Sequence, residues 1–211
     1  MTIAFIGHGK VGAPLADHLQ RAGHRVLVAA RDTDSGSVRA LLARNPALEI
    51  MTAEQAVGAA DVVFLATPFQ AIESVVPPLA GALAGRVLVD CTNPVGPGLS
   101  HGLGSAQSGS AHLQSLAPGA NVVKAFTIYG FENLEDNRFP HAGVKPAMLY
   151  CGEDVNAKRV VGGLIAQLGW EPLDVGGIAQ ALHLEHMTLL WIRAVRAGGQ
   201  SAHLTWAALR K

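Results

Sequence analysis

The first thirty-odd residues constrain this chain more than any other stretch. Thr2-Ile3-Ala4-Phe5-Ile6 is an apolar strand, and Gly7-His8-Gly9-Lys10-Val11-Gly12 follows it, opening an amphipathic run to Ala22. A second apolar run, Val26 to Ala30, ends in Arg31-Asp32. The order strand, glycine turn, helix, strand is one β–α–β unit of about 30 residues. Gly7 permits the sharp turn out of the strand, and Gly9 leaves room for a pyrophosphate against the backbone. Gly12 lets the helix sit close to the sheet. The helix N-terminus then turns free N–H groups and a partial positive charge toward that phosphate. A glycine turn in this context indicates dinucleotide binding.

Arg31 stands about where such proteins keep the residue that reads the adenosine ribose. An acid there bonds a free 2′-hydroxyl, whereas an arginine accommodates a 2′-phosphate. With Ser35, Ser37 and Arg39 nearby, this favours NADP. The alternative is that Arg31 is a solvated strand end and Asp32 takes the ribose.

The remainder reads as alternating strands and helices. Strands are expected at Leu48–Met51, Asp61–Ala66, Arg86–Asp90 and Asn121–Phe126. Helices are expected at Ser37–Arg44, Ala53–Gly58, Ala71–Ala84 (broken at Pro77-Pro78) and Ala111–Leu116. The fold class is therefore α/β, a Rossmann-like doubly wound parallel sheet with a small, mostly helical C-terminal part. Residues 1–126 form the nucleotide-binding domain and 127–211 the smaller part. In the latter, 129–141 is irregular, Ala147–Cys151 is a strand, Val155–Leu168 a helix and Glu171–Val175 a short extended piece. Ile178 to Leu209 reads as mostly helical, interrupted at Gly198-Gly199. Its apolar residues cover more than one stripe, so it packs within its chain or against a partner. The Gly/Ser-rich stretch from Val95 to Ser110 is too long for a simple connection and suggests a functional loop or lid.

Composition excludes several classes. Sixteen basic residues balance sixteen acidic ones, and 15% of residues are charged against 49% hydrophobic. No field favours nucleic acid or an anionic membrane. No apolar run is long enough to span a bilayer, and a chain that enters a strand directly is not expected to carry a signal peptide. Cys91 and Cys151 have neither metal spacing nor a disulfide framework, which suits a reducing cytoplasm.

Ligands of open α/β sheets lie beyond the carboxyl ends of the strands. Thr67-Pro68-Phe69, Thr92-Asn93-Pro94 and Ala125-Phe126-Thr127 fall there. Each combines a small polar group with proline or an aromatic, suited to nicotinamide and a flat acceptor ring. No acid–base set for alcohol oxidation is evident. Lys124 could face the wrong side of its strand. His183, Glu185 and His186 read as a packed or solvated helix face rather than a metal or catalytic group. Hydride exchange between nicotinamide and a flavin-type ring needs positioning more than proton transfer.

Taken with the pieces above, Ser108-Gly109, Val122-Val123-Lys124-Ala125-Phe126-Thr127, Phe131-Glu132-Asn133-Leu134, Cys151-Gly152-Glu153-Asp154 and Leu173-Asp174-Val175-Gly176 carry a resemblance. The chain resembles the coenzyme F420-dependent NADP oxidoreductases over nearly its full length. That resemblance implies NADP at the glycine turn, with the 2′-phosphate near Ala30-Arg31. It also implies direct hydride exchange with the deazaflavin F420 and a homodimer, here through the C-terminal helix. The cofactor-binding residues it implies, together with the turn itself, are Gly7, His8, Gly9, Lys10, Val11, Gly12, Ala30, Arg31, Thr67, Pro68, Asn93, Pro94, Ala125 and Phe126. No catalytic side chain and no metal ligand is assigned. Three departures keep the acceptor open: Asp32 replaces a second basic residue, Thr127 replaces an Asn, and His112 replaces an acid. FAD or FMN, as in ferric reductases, is the alternative acceptor. A non-enzymatic NADP sensor is a further reading. A β-hydroxyacid dehydrogenase or imine reductase starts with the same unit, but the hydroxyacid dehydrogenases need a long helical domain bearing a catalytic Lys, and 178–208 is too short and has none.

Overall fold

The computed structural model describes residues 1–136, 138 and 143–211. Among these, eight strands form one sheet in the order β3-β2-β1-β4-β5-β6-β7-β8. They are β1 Thr2–Ile6, β2 Arg25–Ala29, β3 Glu49–Met51, β4 Val62–Leu65, β5 Val87–Asp90, β6 Asn121–Lys124, β7 Ala147–Gly152 and β8 Glu171–Asp174. β1 to β6 pair in parallel, as the alternation of strands and helices implies. The all-parallel expectation fails at one place: β7 runs antiparallel to β6, through Val123↔Gly152 and Lys124↔Cys151. The chain returns to the sheet edge after the irregular stretch, and β8 then pairs parallel with β7. Positions 137 and 139–141 of that irregular stretch lie outside the described residues.

The sheet is buried on both faces because successive residues of its strands feed two cores. Ile3, Phe5, Val26, Val28, Val62, Phe64, Val89 and Val123 face one side. Ala4, Ile6, Leu27, Val63, Leu65, Leu88 and Val122 face the other. This explains the continuous apolar runs, which alternate only when one face is solvated. Helix α1, Gly12–Arg21, covers the first face with Leu15, Ala16 and Leu19. Helix α2, Gly36–Arg44, is capped by Ser35, and α3, Ala53–Ala59, by a Thr52/Gln55 capping box. The Pro77-Pro78 pair splits the expected helix into Ile72–Val75 and Ala80–Leu83 around a 3₁₀ turn. Helix α4, Gly109–Leu116, and α5, Val155–Gln167, follow.

Helix α6, Ala181–Ile192, continues as a short π segment to Ala197. The helical expectation to Leu209 is thus too long. Gly199 takes φ +72, and a Cβ on Gly198 would lie 2.7 Å from the Ala194 carbonyl. Beyond it the chain runs along β7, with Ala147 N donating to the Trp206 carbonyl at 2.8 Å. The Tyr129 hydroxyl donates to Ala147 O, and Trp191 Nε1 donates to Leu204 O. Backbone pairing with the strand, together with these side-chain contacts, holds the tail. It carries no helical periodicity of its own. Among the described residues no helix is long and apolar enough to cross a membrane.

Candidate NADP site and the charged cluster beside it

The glycine turn closes tightly where the protein needs it and stays open where a ligand would lie. Gly7 has φ +99, and a Cβ there would sit 2.6 Å from the Ala66 carbonyl at the end of β4. A Cβ on Gly12 would sit 2.1 Å from the Gly7 carbonyl. Both positions therefore exclude any side chain. Gly9 differs: a Cβ there would meet nothing of the protein within 4 Å. The space over Gly9 is not filled by the fold, which fits a group approaching the backbone at the N-terminus of α1.

That space belongs to a cleft of about 1030 Å³ at the point where the sheet order reverses between β1 and β4. Gly7, His8, Gly9, Ala30, Arg31 and Thr67 line it. Among the described residues two buried polar atoms there lack a protein partner, His8 Nδ1 and Thr67 Oγ1. The other His8 nitrogen lies 3.1 Å from Ser37 Oγ. Among the described residues the exposed Arg31 guanidinium makes no ion pair or side-chain hydrogen bond. By contrast, Asp32 Oδ1 accepts from Asp34 N and is spent on its own turn. A free guanidinium, two orphaned polar atoms and an open glycine suit the polyanionic adenosine half of NADP. Thr52, Glu54, Ser74 and Pro78 also line the cleft. Sequence reasoning missed these four, because their only local signals are those of a helix cap and a helix break.

The remaining expected site residues lie elsewhere. Val11 and Gly12 begin α1 behind the turn, and Lys10 Nζ sits 4.6 Å from the centre of the Phe131 ring. Pro68 is exposed at the end of β4. Pro94, Ala125 and Phe126 are buried at the ends of β5 and β6. The Phe126 ring packs 5.7 Å from Phe64, inside the core. It therefore offers its backbone, held at φ +60, rather than an aromatic wall. Asn93 is fixed by two bonds: its amide donates to Thr127 O at 3.2 Å, and Thr188 Oγ1 on α6 donates to its carbonyl at 3.1 Å. Thr127 Oγ1, 2% exposed as a residue, lacks a partner among the described residues.

A second constellation sits at the same strand ends and was not anticipated as a unit. Lys124 is fully buried, with Nζ 3.2 Å from Asp90 Oδ2, 3.0 Å from Glu185 Oε1 and 2.9 Å from Thr92 O. Its three protons are all committed, so it cannot serve as a general base. Burial works against its charge, but Asp90 and Glu185 outweigh that and hold its pKa above the ordinary lysine value. Asp90 also accepts from Thr92 N, Thr92 Oγ1 and Ser110 Oγ. Glu185 accepts from Gly109 N and from His101 Nε2 at 2.8 Å. His101 Nδ1 faces the N–H groups of Leu103 and Ser105, so it is the acceptor and Nε2 carries the proton.

The Gly/Ser-rich loop expected to act as a lid is thus pinned to α6 through His101 and Gly109. His183 and His186 are exposed, with His186 Nε2 3.1 Å from Ser105 Oγ, while Glu185 alone points inward. Among the described residues no three metal-ligating side chains converge. Cys91 and Cys151 are buried and unpaired; burial pushes both thiols up, Cys151 to about 12, so neither is a nucleophile near neutral pH.

This geometry agrees with what the chain is similar to. Residues 2–94, the segment that builds the turn, the cleft and the end of β5, match the family model described as NADP oxidoreductase, coenzyme F420-dependent. Over that segment the chain is similar to this family. It stands with the NADP-dependent oxidoreductases. The rat metalloreductase STEAP3 is 31% identical over 188 residues, 89% of this chain and 36% of the relative. The chain therefore spans about a third of the length of that curated relative. A candidate F420-dependent NADP reductase from Arthrobacter sp. FB24 superimposes with a TM-score of 0.87 at 26% identity, covering 99% of both chains. A Streptomyces aurantiacus imine reductase shares the fold at TM-score 0.64 and 20% identity, but this chain covers only 69% of it.

Proposed function

We propose that the chain binds NADP in the cleft between β1 and β4 and passes hydride between its nicotinamide and a flavin-type ring, with coenzyme F420 as the acceptor. The carrying observation is the cleft itself: among the described residues, an unpaired Arg31, unpartnered His8 Nδ1 and Thr67 Oγ1, and open space over Gly9. NADP when bound supplies the hydride. The chain's own part is to hold it. The α1 N-terminus and the Gly7–Gly12 turn take the pyrophosphate, and Arg31 with Ser37 takes the 2′-phosphate. Asn93 and Thr127 stand at the strand ends to orient the reactive end. The family model and the Arthrobacter relative support F420. The 31% identity to a metalloreductase supports FAD or FMN as the second reading. A sensor that binds NADP without chemistry is the non-enzymatic alternative.

Stopped-flow absorbance with NADPH against F420, FMN and FAD separates these. F420 bleaching in step with NADPH oxidation supports the first reading, and flavin bleaching alone supports the second. No change with any acceptor at high protein concentration contradicts both. A homodimer through α6 and a cytoplasmic site of action complete the proposal; Leu190 on α6 is 58% exposed and would supply part of the contact. Sedimentation at micromolar concentration showing a clean monomer would remove the dimer.

A further inference from the structure

The cluster at the ends of β5 and β6 carries charge that the fold does not balance. Donors to Asp90 and Glu185 are Lys124 Nζ, Thr92 N, Thr92 Oγ1, Ser110 Oγ, Gly109 N and His101 Nε2. Each of the four carboxylate oxygens faces at least one N–H or ammonium donor, which cannot turn round to accept an acid proton as the Thr92 and Ser110 hydroxyls could. Both side chains are therefore held as anions. His101 is neutral, because its Nδ1 already faces two backbone N–H groups. One lysine stands against two carboxylates. Exposure of Asp90, Lys124 and Glu185 is 0%, 0% and 1%, so solvent and salt screen the excess negative charge poorly.

The cluster lies under the segment expected at the reactive end of the nucleotide. Asp90 closes β5 three residues before Asn93, and Lys124 bonds the Thr92 carbonyl directly. Thr188, one helical turn after Glu185 on α6, bonds Asn93. Loss of hydride from C4 of a dihydronicotinamide takes two electrons and one hydrogen nucleus to the acceptor ring. It leaves a ring that is more positive by one unit.

We propose that the net negative charge of the Asp90–Lys124–Glu185 cluster favours the oxidised, cationic nicotinamide over the reduced one, so that the protein is biased to give hydride away rather than collect it. This rests on the functional reading above and adds the direction of flow. Asp90, Glu185 and Lys124 act as positioning and electrostatic groups; none is placed in contact with the reacting atoms.

The test is the ratio of two binding constants. Calorimetric titration gives the Kd of wild-type protein for NADP+ and for NADPH; the expected result is NADP+ bound at least as tightly as NADPH. Asp90→Asn removes one unit of charge and keeps an acceptor for Thr92 and a donor for Ser110, at the cost of the Lys124 contact, which the amide nitrogen cannot accept. It should weaken NADP+ relative to NADPH roughly tenfold, the order of one unit charge's effect in a partly buried site at an effective dielectric of about 20. Ser110→Ala removes a hydrogen bond to the same carboxylate without changing charge, and should leave the ratio where it was. A structural defect would weaken both nucleotides together. A wild-type protein that binds NADPH much more tightly overturns the proposal, even if Asp90→Asn fails to fold. An unchanged ratio in Asp90→Asn, or an equal shift in Ser110→Ala, overturns it as well. Failure to bind either nucleotide would instead overturn the functional reading on which it stands.

Discussion

The two halves of the site are built on opposite principles. At the β1/β4 end the protein leaves groups unfinished: among the described residues Arg31 is exposed and unpaired, His8 Nδ1 and Thr67 Oγ1 have no partner, and Gly9 borders open space. At the β5/β6 end nearly everything is finished: Lys124, Asp90, Glu185 and His101 satisfy one another in the interior, and Thr127 Oγ1 is the exception. Unfinished polar groups cost stability until a ligand completes them. A finished buried cluster costs little in place and a great deal when one member is lost. The first half should therefore respond to mutation through binding, and the second through stability and electrostatics.

The glycines give the largest contrast. Gly12→Ala drives a Cβ into the Gly7 carbonyl and should abolish nucleotide binding, with a stability loss of about 1–3 kcal/mol or more from overpacking. Gly9→Ala meets no protein atom, so it should melt like wild type yet bind NADPH at least ~10-fold more weakly, because its methyl group competes with the phosphate. Equal melting and equal binding in the two variants would erase the distinction between a glycine kept for the fold and one kept for the ligand.

Lys124→Met comes next. It leaves two carboxylates buried against each other, and thermal or denaturant unfolding should show a loss of about 3–5 kcal/mol. A stability close to wild type would mean that the cluster is hydrated and not the dry network described.

The smallest expected effect lies away from both ends, where Asp17 on α1 accepts from Arg21, Arg44 and Asn45. Burial raises its carboxyl, but those three hydrogen bonds outweigh it and hold the pKa below the usual aspartate value of 3.8. A carboxyl depressed in the folded state contributes stability above about pH 4 that is lost as pH falls further. Asp17→Asn should cost about 1.5–3 kcal/mol at pH 7 and progressively less as pH falls below about 4, read from melting curves across that range. A loss that does not depend on pH would sever the link to ionisation.

The same contrast decides what the sequence could disclose. The β1/β4 end was legible because a local pattern encodes it: strand, glycines at fixed spacing, helix, and an arginine at the end of the next strand all sit within about 30 residues. Ser35 and Ser37 fell within the same window. The β5/β6 end is assembled from Asp90, His101, Ser110, Lys124 and Glu185, spread over 96 positions. A hint was present in the charges ending two otherwise apolar strands, Asp90 and Lys124, and in one acid inside an apolar helix, Glu185. Only the pairing of β5 with β6 and the packing of α6 over them make a unit of these. The antiparallel β7 and the extended tail after Gly198 were hidden for a related reason. Pairing direction and edge capture are settled by long-range contacts, not by the residues of the segment.

The central claim is that the first β–α–β unit holds a 2′-phosphorylated adenine dinucleotide through Arg31. Calorimetric titration of wild-type and Arg31→Ala protein with NADPH and NADH tests it most directly. The account expects wild type to bind NADPH at least ~10-fold more tightly than NADH, and Arg31→Ala to lose that preference while keeping its NADH affinity and its melting temperature. Equal wild-type affinities for the two nucleotides, or a preference that survives in Arg31→Ala, would contradict it.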